Sequence, residues 1–71
     1  MDRFSIRLKF GKRVKQWRIK RGLTQVDLAT KADIKYKHLQ RIEGNQPPAV
    51  RIDMIAAIAS ALRVKPSTLI E

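Results

Sequence analysis

The sequence predicts a compact all-α domain of five short helices, and three observations carry that reading. Between its breakers the chain reads with helical rather than alternating periodicity, apolar residues recurring at the three-and-four spacing of a helix. Gly22, Asp33, the run Gly44-Asn45-Gln46-Pro47-Pro48 and Pro66 break the chain into pieces of helical length. With 71 residues there is room for one domain, residues 1–71, and no repeat, low-complexity tract or linker interrupts it. So short a chain buries only a modest core, which makes self-association or a partner an expected source of stability.

The first helix is expected from Ser5 or Arg7 to Arg21, with residues 1–8 forming a flexible N-terminal arm. Phe10, Val14 and Trp17 recur at i, i+4, i+7 on one face, and lysines occupy the other. Gly11 within it costs about 1 kcal/mol relative to alanine, which favours fraying of the first turn. Gly22 supplies a left-handed C-terminal residue. The second helix starts at Thr24 as N-cap, with Asp27 where a capping box has its acid, and ends near Lys31. After the tight turn Ala32-Asp33-Ile34, a third helix covers Tyr36 to Glu43, with Leu39 and Ile42 inward and Gly44 as its stop. The fourth runs from Arg51 to Leu62, and its stripe Ile52, Ile55, Ala56, Ala59 and Leu62 predicts the central core helix. Pro66 opens the fifth helix, Pro66 to Ile70.

Composition narrows the function. Sixteen Lys and Arg against six Asp and Glu give a formal net charge of +10, a field that attracts polyanions through counterion release. Arg3, Arg7, Lys9, Lys12, Arg13, Lys15, Arg18, Lys20 and Arg21 follow one another without an acid between them. Nucleic acid and an anionic membrane are the candidate partners at this level. No apolar run approaches the ~20 residues of a bilayer span, and the N-terminus lacks the pattern of a signal peptide. The chain has no cysteine and one histidine, hence no disulfide framework and little from which to build a metal site. Its composition suits a reducing, cytoplasmic setting. No carboxylate pair, Ser-His-acid set, phosphate loop or metal spacing suggests an enzyme, and no cofactor motif is present.

Two helices of about eight residues joined by a tight turn, behind a basic first helix, form a helix-turn-helix arrangement. On a helical wheel Tyr36, Lys37, Gln40 and Arg41 share one face, away from Leu39 and Ile42. Such a front can reach base edges in the major groove, where arginine pairs with guanine and glutamine with adenine. Arg41 is the foremost base reader, while Lys37 suits a base or a phosphate. Gln25 opens the second helix, where free backbone amides favour an anion. Thr24 serves there as a cap or as a phosphate contact. Lys35, Asn45 and Gln46 are placed to approach the phosphate backbone. His38 lies at the edge of the face and Trp17 in the core.

The stretch FGKRVKQWRIKRGLTQVDLATKADIKYKHLQRIEG resembles the lambda-repressor-like helix-turn-helix family of phage repressors and Cro proteins. The matching features are Arg18, Gly22-Leu23-Thr24-Gln25, Leu28-Ala29 and Arg41-Ile42-Glu43-Gly44, and IAAIASALRV is similar to the family's fourth helix. The resemblance implies a sequence-specific regulator of transcription, foremost a repressor. It also implies that Gln25 contacts phosphate and braces the recognition helix, and that Arg18 and Glu43 form a buried ion pair. Lys35 stands where the family often has a Ser or Thr cap, Asp33 and Arg63 stand at frequent glycine positions, and the loop after Glu43 is longer. The same fold also serves restriction-modification controllers and antitoxins, the latter with a protein partner that nothing in this sequence indicates.

One recognition helix reads too few base pairs to stand out among the ~10⁶ or more competing sites of a genome. Pairing places two such helices in successive major grooves about 34 Å apart, so a homodimer on an inverted-repeat operator is expected. Met54, Ala57 and Ala61 form a second stripe on the fourth helix, open to a partner or covered by the fifth helix. Leu69 and Ile70 end the chain, and the interface is expected there, at Val64 in the preceding loop, and at Met54.

Overall fold

The computed structural model describes residues 2–71. Five helices follow in order: α1 (Arg3–Lys20), α2 (Gln25–Ala32), α3 (Tyr36–Ile42), α4 (Ile52–Leu62) and α5 (Pro66–Ile70). No strand occurs among the described residues, as the sequence predicts. Helix α2 packs between α3 and α4, while α1 lies against α5, α3 and α4. No helix among the described residues is long and apolar enough to cross a membrane.

Helix α1 begins earlier than the sequence reading placed it. Asp2 caps it, accepting the Ser5 backbone N–H at 2.7 Å, which satisfies one of the free donors of the first turn. That contact holds the Asp2 carboxyl below its ordinary pKa. Residues 3–8 of the expected arm are therefore helical, and Met1 lies outside the described residues. Gly11 has a reason beyond propensity. It is buried where α1 crosses the end of α3, and a Cβ there would overlap the Ile42 carbonyl oxygen.

Three helices end by the same device. Gly22, Asp33 and Arg63 adopt left-handed φ of 71°, 56° and 60°, and the next residue's N–H turns back into the helix. Leu23 donates to the Arg18 carbonyl, Ile34 to Ala29 and Val64 to Ala59, at 2.9–3.0 Å. This is the Schellman closure of orphaned carbonyls. Asparagine, aspartate and glycine tolerate the geometry, but arginine is strained by about 1–2 kcal/mol. Arg63→Gly is expected to raise stability by about 0.5–1 kcal/mol once the freer unfolded chain is counted. Urea denaturation checks this, and an unmoved or lowered midpoint would show that the Arg63 side chain contributes contacts of its own.

The core joins Phe10 and Val14 of α1, Leu28, Ala29 and Ala32 of α2, Leu39 and Ile42 of α3, Ile58, Ala59 and Leu62 of α4, and Leu69 of α5. The expected α4 stripe is corrected in phase. Ile58 is buried, whereas Ile52 is 85% exposed and Ala56 is also exposed. Ile55, Ile58, Ala59 and Leu62 form the i, i+3, i+4, i+7 set that faces the core, and Ile52, the first helical residue, projects past it. Leu69 is likewise corrected. It is completely buried, which removes it from any contact surface, and Ile70 is 45% exposed. Trp17 is half-buried against the core, with Lys20 Nζ at 4.7 Å and the Arg21 guanidinium at 5.0 Å from its ring centre.

Two arginines that read in sequence as part of a basic run hold the fold together. Arg21 Nε donates to the Leu62 carbonyl at 2.8 Å, joining the ends of α1 and α4, and Arg13 donates to the Thr68 carbonyl at 3.1 Å. Cations at carbonyls of a helix end are favoured by its dipole.

Candidate nucleic-acid interface

Helix α3 is held by its back and bare on its front. Leu39 and Ile42 are buried, whereas Tyr36, Lys37, Gln40 and Arg41 are all exposed. Residues i, i+1, i+4 and i+5 share a face, which is why one short helix can divide its seven residues in this way. Lys35, also exposed, precedes it as N-cap without a side-chain capping bond, consistent with the departure noted from the family pattern. His38 is half-buried at the edge. Gln40 Nε2 donates to Tyr36 Oη at 2.9 Å, a brace between two face residues that the sequence reading missed. An i, i+4 pair of an amide and a phenol carries the signal for it.

Behind the face stands a small polar network. Arg18 grips Glu43 with two bonds, Nε to Oε2 at 2.9 Å and Nη2 to Oε1 at 3.1 Å. Their side chains are only 12% and 3% exposed. The third guanidinium nitrogen of Arg18 donates to the Leu23 carbonyl at 2.9 Å, and Gln25 Nε2 donates to Glu43 Oε1 at 3.2 Å. The network links the last turn of α1, the entry to α2 and the end of α3. The ion pair implied by the family resemblance is present, and Gln25 is oriented by it.

Thr24 and Asp27 close a full capping box. Thr24 Oγ1 accepts the Asp27 N–H at 3.0 Å, and Asp27 Oδ2 accepts the Thr24 N–H at 2.9 Å. The Thr24 backbone bond, more than any other contact, holds the Asp27 carboxyl below its ordinary range. Asn45 and Gln46 follow α3 directly and are exposed. The structure thus brings the α3 face, the start of α2 and the loop after α3 into one neighbourhood. Among the described residues no three His, Cys, Asp or Glu cluster as metal ligands would.

The residues expected at a dimer contact do not share one place. Ile70 borders a mostly apolar hollow of about 130 Å³ with Ile6, Phe10, Val50 and Ile55, where Arg7 is the one charged residue. Met54 lines a different hollow beside Ala32, Ile34 and Ala57. Met54 and Val64 are half-buried against the core. Ile6 and Val50 escaped the sequence reading because Ile6 falls in the stretch read as an arm and Val50 in the loop between the third and fourth helices.

A bare polar helix presented over a buried brace is the arrangement of a DNA-binding regulator of transcription, and the comparisons with known proteins agree. The Helix-turn-helix family matches residues 14–69, and the chain belongs to that lambda-repressor-like family, whose members bind double-stranded DNA. Among solved structures it is similar to the restriction-modification controller protein C.AhdI from Aeromonas hydrophila. The two are 30% identical with a TM-score of 0.83, over 89% of this chain and 94% of that one. No curated protein sequence matches.

Proposed function

We propose that this chain represses transcription as a homodimer on an inverted-repeat operator, each copy laying α3 in the major groove. The observation that carries the reading is the exposed quartet Tyr36, Lys37, Gln40 and Arg41 on a helix braced from behind by Arg18, Glu43 and Gln25. Arg41 reads a base, Lys37 reads a base or touches phosphate, and Tyr36 and Gln40 act as one bonded unit. Gln25, Lys35, Asn45 and Gln46 hold the backbone. Thr24 acts there chiefly as a cap, with a phosphate contact through its remaining lone pair. Selection of bound duplexes from a random pool tests the assignment. Arg41→Ala is expected to weaken the best site by about 1–3 kcal/mol and relax preference at one base pair, whereas Gln25→Ala weakens all duplexes alike. An unchanged motif for Arg41→Ala refutes the recognition face.

The dimer contact is placed on the hollow of Ile6, Phe10, Val50, Ile55 and Ile70, together with Ile52, rather than at Leu69. Isolated exposed apolar residues are ordinary, but Ile6 and Ile70 line one hollow with Val50 and Ile55, and Ile52, one turn before Ile55 on α4, is exposed. Two copies each carrying ten net positive charges repel, so added salt tightens the dimer while it loosens DNA. Sedimentation velocity should show Ile52→Asp/Ile70→Asp as a monomer at all salt concentrations. One protomer per duplex at saturation, on a motif without inverted symmetry, would sink the dimer.

A controller of restriction-modification genes is the second reading, favoured by the similarity to the Aeromonas hydrophila controller across nearly both chains. It predicts that the selected operator lies upstream of a methyltransferase or endonuclease gene.

A further inference from the structure

Eight of the sixteen cations lie in α1, and no acid lies within it. The recognition helix and its cap hold only Lys35, Lys37 and Arg41. Most of the positive charge is therefore elsewhere than on the face assigned to base reading. Arg13 and Arg18 are engaged with the Thr68 carbonyl and Glu43. The remainder includes a straight outer stripe of Ser5, Lys9, Lys12, Gln16 and Lys20, spaced by three and four residues. Lys12, Gln16 and Lys20 are exposed, and Ser5, Lys9, Lys12 and Gln16 line one open hollow.

The stripe points away from α3. Helix α1 meets α3 through Gly11 and Arg18, which share one line along it. At 3.6 residues per turn, Lys9, Lys12, Gln16 and Lys20 lie about 100–180° around the helix from that line. A duplex held on the front of α3 is behind α1 as seen from these lysines. Like charges at this spacing repel, and no carboxylate within α1 offsets them. We propose that this outer stripe is a second nucleic-acid surface, which takes the phosphate backbone of another duplex segment while α3 holds the operator.

Three observations select a duplex over other polyanions. The stripe is about 22 Å long at 1.5 Å per residue, which spans roughly six phosphates of one strand at 3.4 Å each. Its three cations, Lys9, Lys12 and Lys20, stand one turn and then two turns apart, and the exposed amide of Gln16 fills the gap with a hydrogen-bonding group. The apolar face of α1, Phe10 and Val14, is buried in the core, and its exposed apolar residues Phe4, Ile6 and Ile19 are scattered around the helix and between its two ends, so α1 presents no continuous apolar face to insert into a membrane. Sequence plays no part in such a contact, so it serves transfer between segments or bridging of two sites.

The inference rests on α3 as the recognition helix, and the test separates the two. The full chain is saturated on an immobilised duplex selected from a random pool, carrying both half-sites, and a labelled duplex of unrelated sequence is added. Wild type captures the second duplex, with capture falling steeply as salt rises. Lys9→Gln/Lys12→Gln/Lys20→Gln captures at least ~10-fold less, with a salt slope shallower by about 0.9 per lysine engaged. It still selects the same motif, which shows that the α3 face is intact. Equal capture by wild type and triple variant, or none by wild type, overturns the second surface and leaves α3 untouched. Preference of the wild-type complex for polyglutamate or phosphatidylserine vesicles over duplex of equal charge also overturns it. Failure to select any motif overturns the recognition helix instead.

Discussion

Glu43→Ala is expected to remove much of the stability of this domain. The substitution strips Arg18 of both its carboxylate bonds while leaving it largely out of water. Breaking a buried pair from one side costs about 3–5 kcal/mol, whereas a domain of this length has about 4–11 kcal/mol in all. Gln25 loses its orienting acceptor in the same step, so operator affinity falls even where the chain stays folded. Arg18→Met/Glu43→Leu, which removes both charges, should recover much of the loss because no unpaired ion is left. Urea denaturation of the three proteins decides it. A loss below ~1 kcal/mol for Glu43→Ala, or a double variant no better than the single, would mean the network does not hold α1 to α3.

Gly11→Ala is the second large effect, and its sign separates two ways of reasoning. Helix propensity alone predicts a gain of about 1 kcal/mol. The packing predicts a loss, because the new methyl overlaps the Ile42 carbonyl oxygen, a backbone atom that no rotamer change can move aside. Overpacking typically costs about 1–3 kcal/mol, and rigid neighbours push it to the upper end. Either α1 or the end of α3 must shift, so binding to the selected duplex should fall with the thermal midpoint. A midpoint that rises instead would show that the helices separate freely at this crossing.

The same residue shows what sequence can and cannot carry here. Breakers and periodicity are local, so all five helices were legible, as were the capping box at Thr24 and the left-handed turn at Asp33. The front and back of α3 were also legible, because seven residues with two buried anchors leave little freedom of phase. The rest depended on what lies across the gap. Gly11 reads as a weak point in a helix until α3 is seen to pass over it. The α4 stripe was misphased because its many small and branched residues suit several faces, and only the packing of α2 and α5 selects the one with Ile58. Leu69 and Ile70 are neighbours of equal hydrophobicity, and which of them turns inward follows from the docking of α5 on α1. Arg13 and Arg21 merged into a run of charge because their acceptors, carbonyls 55 and 41 residues away, leave no mark in composition.

The four face residues of α3 lie outside the core, while Leu39 and Ile42 fix the helix to it. With α3 as the proposed recognition helix, target preference can drift without dragging foldedness along, and a new operator can be acquired by changing side chains that the rest of the molecule does not notice. The exception is the bond from Gln40 to Tyr36, which ties those two positions of the proposed face into one unit. Retargeting this helix calls for exchanging them as a pair, while Lys37 and Arg41 can be rewritten one at a time.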